Sequence, residues 1–274
     1  MNILQEVYFE IGKLNIQLKN IKKSYFLLPM IVRQGVLSLN CRSKKIEFET
    51  LFAPNVADNP SKEVMIIVKS IKTINDVISN GDLDIKSIKK IVSSFDKSAN
   101  LAQLDDVDFS FDFHCLYNIY NAIYVKNNEL SALTFSVICN VFMVLGKYLP
   151  LPIFDIAKAI VENEKAKTSD EFFGILLKAI NHTTDILAKH KKMVKEHTLI
   201  AQKANMKSVV AEYNYLLENP VIEVGSMLEE LQMTFATLSK ATAILENNKI
   251  LTKIAGSQRY RIFKYDALCT LFSN

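Results

Sequence analysis

The chain has 274 residues, 49% of them hydrophobic and 23% charged, with only seven Gly and six Pro. That composition excludes a disordered chain and a turn-rich β protein, and it provides for one large or two modest, mainly helical domains. The formal net charge of +4 is too small to name a partner, but 29 lysines face only four arginines (Arg33, Arg42, Arg259 and Arg261), so no arginine occurs from 43 to 258.

In chain order, helical apolar spacing predicts a helix over Ile3–Lys23 and a second over Tyr25–Ser38. A short segment, Asn40–Phe52, and a loop, Ala53–Asn59, follow. Asn59 as N-cap and Pro60 at the first helical position open a third helix to about Ser79. The turn Ser79-Asn80-Gly81-Asp82 leads to a helix over Asp84–Phe95, and Asp96–Ser110 is a polar link. Phe111–Val125 and Ser131–Leu145 are apolar helices joined by Lys126-Asn127-Asn128-Glu129. The run Leu149-Pro150-Leu151-Pro152 breaks the chain before a helix over Phe154–Glu164. Thr168 and Glu171 are spaced as a capping box for Ser169–His190, and a basic helix, Lys191–Ala204, follows.

From Met206 the pattern changes. Helices are predicted over Met206–Glu218, Gly225–Leu231 and Phe235–Asn247, the last with Thr234 as N-cap and Leu238, Ala241, Thr242 and Leu245 inward. Strands over Ile250–Ile254 and Arg259–Tyr265 flank a Gly256–Gln258 turn, and a short helix ends the chain. This order reads as a winged helix-turn-helix with a small β-hairpin wing. The expected organisation is a helical domain over 1–205, divided into 1–80 and 81–205, and a winged helix over 206–274.

Cys41, Cys115, Cys139 and Cys269 lack a CxxC spacing and read as free thiols of a reducing compartment. The N-terminus lacks a signal-peptide layout. The most apolar run, Ala132–Leu145, is fourteen residues long, short of the roughly 18–20 a membrane span needs. A cytoplasmic protein with no membrane partner is expected.

Three stretches resemble the Fic (Fido-domain) family, whose active members move AMP from ATP onto protein hydroxyls. Ser43-Lys44-Lys45-Ile46-Glu47 is similar to the family's inhibitory Ser-x-x-x-Glu-Gly motif, with Phe48 for Gly. Phe135–Pro150 resembles the long core helix that follows the catalytic loop. Pro220–Phe272 resembles the winged helix that follows many bacterial Fic domains. The catalytic loop itself departs from the pattern His-Pro-Phe-x-Asp/Glu-Gly-Asn-Gly-Arg-x-x-Arg. Val125 takes the His position, and Val125, Lys126, Asn127, Asn128 and Glu129 make up a degenerate loop in which only the acidic position finds a match, Glu129. Valine cannot act as a general base. No Gly occurs from Asp82 through Leu145 to open a phosphate nest, and no Arg is present to neutralise phosphate. The resemblance therefore implies a Fic-like scaffold without catalytic residues and without a cofactor. ATP and Mg²⁺ enter only under the alternative of a divergent adenylyltransferase, and Glu47 reads as a remnant of a brake whose arginine is missing or as a structural cap.

Other candidates are weaker. His114, His182, His190 and His197 are too scattered for a metal set, and Asp105, Asp106, Asp108 and Asp112 lack the Gly turn and terminal Glu of a calcium loop. The basic residues Lys189, Lys191, Lys192, Lys195, Lys203 and Lys207 read as a wet helix face. In the winged module the charges are segregated. Lys240, Lys249, Lys253, Arg259, Arg261 and Lys264 fall in the third helix and wing, whereas Glu212, Glu218, Glu223, Glu229 and Glu230 fall in the first two helices. Lys240, Ser239, Lys249, Lys253, Gln258, Arg259 and Arg261 are thus the candidate nucleic-acid contacts. Phe235, Ala236, Ser239, Lys240 and Ala243 give the presumed recognition positions few polar groups, so sequence-specific reading calls for a homodimer. The expectation is a DNA-binding or partner-docking regulator, with a pure interaction scaffold as the other alternative.

Overall fold

The structure is a computed structural model and describes residues 2–18, 62–126, 128–149, 153, 155–256 and 261–273. The described chain is mainly helical with one small antiparallel sheet. It divides into two compact units between Thr184 and Asp185.

The first unit holds α1 (Ile3–Leu18), α2 (Lys62–Asn80), α3 (Ile85–Phe95), α4 (Phe113–Ile123), α5 (Glu129–Leu145), α6 (Ile156–Glu162) and the first part of α7 (Ser169–Lys203). Helix α5 is its axis. Every residue from Ser131 to Met143 is buried, because α2, α3, α4 and α6 all pack against it. This is the apolar run that is too short for a membrane, and among the described residues no helix is long and apolar enough to cross one. A polar atom inside such a core needs a partner. Asn140 Oδ1 accepts the Ile153 N–H at 2.6 Å, and Ser136 Oγ donates to the Leu133 carbonyl at 2.7 Å.

Caps set the boundaries. Asp84 accepts from Ser87 N at 2.7 Å to start α3, and Asn128 accepts from Ser131 N at 3.1 Å to start α5. Asp112 starts α4 by accepting from His114 N and Cys115 N at 2.8 and 2.9 Å. Burial pushes the Asp112 carboxyl up, but hydrogen bonds from Ser110, Cys115 and His114 outweigh it and hold the group below the ordinary carboxylate range. At the end of α5, Gly146 sits where a Cβ would lie 2.8 Å from both Phe111 Cδ1 and the Phe142 carbonyl oxygen. That close approach lets Phe111, Phe113, Phe142 and Tyr148 cluster around the helix end.

Three expected boundaries shift. The link over Asp96–Ser110 contains a 3₁₀ turn, Ala102–Leu104, with Leu104 buried as its anchor. The expected break at His190 does not exist, since α7 runs unbroken from Ser169 to Lys203. His190 is buried within it, and the change to a lysine-rich surface after it is not a break in the helical backbone. The capping box is displaced by one residue. Glu171 N donates to Thr168 Oγ1 at 3.2 Å, but the Glu171 carboxylate accepts from Lys167 N at 2.7 Å.

The second unit comprises the remainder of α7, then α8 (Lys207–Glu218), β1 (Val221–Glu223), α9 (Val224–Glu230), α10 (Phe235–Asn247), β2 (Leu251–Ala255), β3 (Ile262–Tyr265) and α11 (Asp266–Ser273). The sheet order is β1-β3-β2, antiparallel throughout. Strand β1 is absent from the sequence reading because Pro220 and three following residues carry too short a pattern to register a strand. It pairs Val221 with Lys264 and Glu223 with Ile262. The hairpin β2–β3 is irregular between Lys253 and Ala255, and Gly256 ends β2 with φ +81°, a conformation that favours glycine. Tyr265 anchors this unit. Its hydroxyl lies 2.6 Å from His197 Nδ1 and 3.4 Å from the Tyr213 hydroxyl, and burial pushes its pKa far up.

Candidate nucleic-acid interface

Helix α10 follows α9 after a short turn and is held against α8 by a core that includes Leu216, Leu217, Leu238, Ala241 and Leu245. Thr234 caps α10, accepting from Thr237 N at 3.2 Å. The inward residues Leu238, Ala241, Thr242 and Leu245 are all buried, so the face they leave outward is set by helical spacing alone. Ala236, Lys240, Ala243 and Asn247 recur along it at intervals of three and four, and all are exposed. It is a face of small side chains with one cation, able to approach a surface closely.

The expected contacts separate into two groups. Lys240, Lys249 and Lys253 are exposed, and among the described residues none of them is in an ion pair. Lys249 takes a left-handed conformation (φ 58°) between α10 and β2. Arg261 and Ser239, by contrast, are tied to each other. The Arg261 guanidinium donates to Ser239 Oγ at 3.0 Å and lies 5.9 Å from the Phe235 ring centre and 5.8 Å from that of Phe263. Arg261 also precedes β3 rather than alternating along it. A planar cation that finds a hydroxyl and two rings becomes a brace between α10 and the base of the hairpin. Lys264 pairs with Asp266 at 3.1 Å. Gln258 and Arg259 lie outside the described residues, as do Ser43 and Glu47.

Behind this face is a residue that the sequence reading placed only among the acidic ones. Glu212 on α8 is fully buried. Thr242 Oγ1 stands 2.8 Å from Glu212 Oε1 and 2.9 Å from the Leu238 carbonyl. One hydroxyl proton serves both oxygens only as a shared, three-centre bond. Each oxygen gains a full bond when the carboxyl is protonated and donates to Thr242, which donates to Leu238. Burial pushes the Glu212 pKa to about 7, against a smaller lowering by Thr242.

The segment from Val125 to Glu129 lies in the first unit. Val125 is 59% exposed. Its N–H donates to Ser131 Oγ at 3.0 Å, Asn128 N donates to the Val125 carbonyl at 3.1 Å, and Ser131 N is spent on Asn128 Oδ1. The donors that a phosphate nest would aim outward are thus turned inward by a serine cross-brace. Lys126 sits 3.9 Å from Glu164 with both side chains exposed, and Glu129 occupies the first turn of α5. Asn127 is outside the described residues. Beside the loop, a cavity of about 290 Å³ is lined by Val125, Asn128, Ser131 and Thr134 with Asn100 and Gln103. Its one ionisable lining residue is Asp96.

The histidines remain apart. His190 is buried with its pKa pushed down to about 4 by burial, and His197 is engaged with Tyr265. Asp105 is paired with Lys89, and Asp112 is the cap of α4. Among the described residues no group of three or more His, Cys, Asp or Glu could hold a metal ion. No protein-family model and no curated protein matches this chain.

Proposed function

We propose that the chain acts through its second unit as a nucleic-acid-binding winged helix, and that the helical first unit is a Fic-like scaffold without adenylyltransferase chemistry. The observation that carries this reading is the order α8-β1-α9-α10-β2-β3 with sheet order β1-β3-β2. That order leaves the small-residue face of α10 exposed, with Lys240 on it and Lys249 and Lys253 at the hairpin. Such a face suits a DNA major groove, and the hairpin lysines suit flanking phosphates. The inward-turned loop donors support the non-catalytic part of the reading, since a general base, glycine nest and arginine are all missing from it.

The test is binding of the full chain to mixed duplex DNA across a salt series. Lys240, Lys249 and Lys253 together imply a slope of log K against log salt of about −3. Lys240→Ala with Lys253→Ala brings it to about −1. No binding, or a slope that these substitutions leave unchanged, overturns the nucleic-acid reading in favour of protein docking through the same unit, where Ile254 of β2 is 38% exposed. Labelling of the chain or a target protein from radioactive ATP with Mg²⁺ would overturn the non-catalytic reading.

A further inference from the structure

The first unit carries a second constellation, on α6 and α7, that nucleic-acid binding does not use. Asp155 stands at the N-cap of α6 in a left-handed conformation (φ 61°) and is 4% exposed. An aspartate there ordinarily accepts from the first N–H groups of the helix. Asp155 makes no side-chain cap bond, and its Oδ2 lies instead 2.9 Å from Nε2 of His182 on α7. A nearly buried carboxylate thus fixes a half-exposed imidazole. With Nε2–H directed to the carboxylate, Nδ1 on the opposite side of the ring is the nitrogen left for a ligand.

The imidazole lines a groove of about 380 Å³ together with Lys158, Glu162, Asn163 and Lys178. Lys158 is 4.0 Å from Glu162, and His182 is matched by Asp155. Among the described lining residues Lys178 is the cation that remains. Its Nζ donates to Asn163 Oδ1 at 3.1 Å, and Asn163 Nδ2 donates in turn to the Ala159 carbonyl at 2.5 Å. An amide held at both ends keeps the ammonium at the groove without neutralising it.

We propose that this groove is a binding site for phosphate, either the free ion or a monoester, with Lys178 Nζ as its ion-pair partner and His182 Nδ1 as its hydrogen-bond partner. Near neutral pH phosphate carries both an O–H and unprotonated oxygens. It donates to Nδ1 of a neutral imidazole and accepts from Nδ1–H of an imidazolium, whereas a carboxylate can only accept. Asp155 is the positioning residue that fixes the ring for either bond.

The test is NMR of the His182 ring in the full chain, titrated at pH 7 and physiological ionic strength with inorganic phosphate, with O-phosphoserine and with acetate. Saturable movement of the His182 signals with phosphate is expected. Lys178→Ala should weaken it about tenfold or more, the loss expected of one charge-assisted hydrogen bond. Asp155→Asn should change the ring's ¹⁵N tautomer signature together with the affinity. Tighter binding of O-phosphoserine assigns a monoester as the ligand, and equal or weaker binding assigns the free ion. No saturable movement, the same affinity in Lys178→Ala, or acetate binding as tightly as phosphate overturns the proposal. None of these outcomes depends on DNA binding by the second unit.

Discussion

Replacing Glu212 by Gln is expected to stabilise the second unit above pH 7 and to leave it unchanged in acid. In the folded chain the carboxyl is fully buried behind α10 and its pKa is pushed to about 7 from an ordinary 4.5. The folded state therefore holds a proton that the unfolded state has released between those two values. The contribution of Glu212 to stability is complete below about pH 4.5 and falls as pH rises towards 7, after which it is level. A displacement of this size corresponds to about 3 kcal/mol. Glutamine keeps the shape, carries no charge and donates from Nε2 to Thr242 Oγ1, so the bond from Thr242 to the Leu238 carbonyl survives. The variant should match the wild type near pH 4.5 and exceed it by about 2–3 kcal/mol at pH 8. Urea unfolding followed by deuterium uptake in peptides of α8 and α10 at the two pH values measures the difference locally. A glutamine variant whose stability relative to wild type is the same at pH 4.5 and pH 8, or that is less stable than wild type at pH 8, would refute the buried-proton argument.

Gly146→Ala is expected to lower the thermal midpoint of the first unit, by about 1–3 kcal/mol of overpacking, since the added methyl meets both Phe111 and the Phe142 carbonyl. Asn140→Ala should destabilise by about 1–3 kcal/mol, because it leaves the buried Ile153 N–H without its acceptor. Asp112→Ala removes the α4 cap and should cost about 1 kcal/mol at pH 7. That difference should shrink in acid as the wild-type carboxylate, held below its ordinary pKa, is protonated. Arg261→Ala should loosen α10 from the hairpin, seen as faster deuterium uptake at 235–240, and should reduce the DNA salt slope by less than Lys240→Ala does.

Much of the fold is legible where one periodicity dominates. The bounds Phe235–Asn247 and the inward set Leu238, Ala241, Thr242 and Leu245 follow from the Thr234 cap and helical spacing, and the structure has both. Helix α7 is misread because a run of lysines resembles a new element, whereas helical backbone continues regardless of surface charge. Strand β1 is three residues long and depends on pairing with β3, forty residues later, which no local pattern encodes. The site is less legible than the fold. Lysine exposure can be read from helix faces, but the capture of Arg261 by Ser239 and two aromatic rings joins residues far apart in sequence. The same holds for Glu212 with Thr242 and for Asp155 with His182: each partner looks like an ordinary surface residue until the fold brings the other to it.

The buried cysteines give each unit an internal clock. Cys139 is fully enclosed in α5 of the first unit, where burial pushes its thiol pKa far up, and Cys269 is 2% exposed in α11 of the second. Neither sulfur can meet a thiol reagent until its own surroundings open. With Cys41 and Cys115 replaced by serine, one reporter would remain in each unit. The two labelling rates would then measure how often each unit opens, separately and in the same tube, with no added dye and in a chain that has no tryptophan to follow.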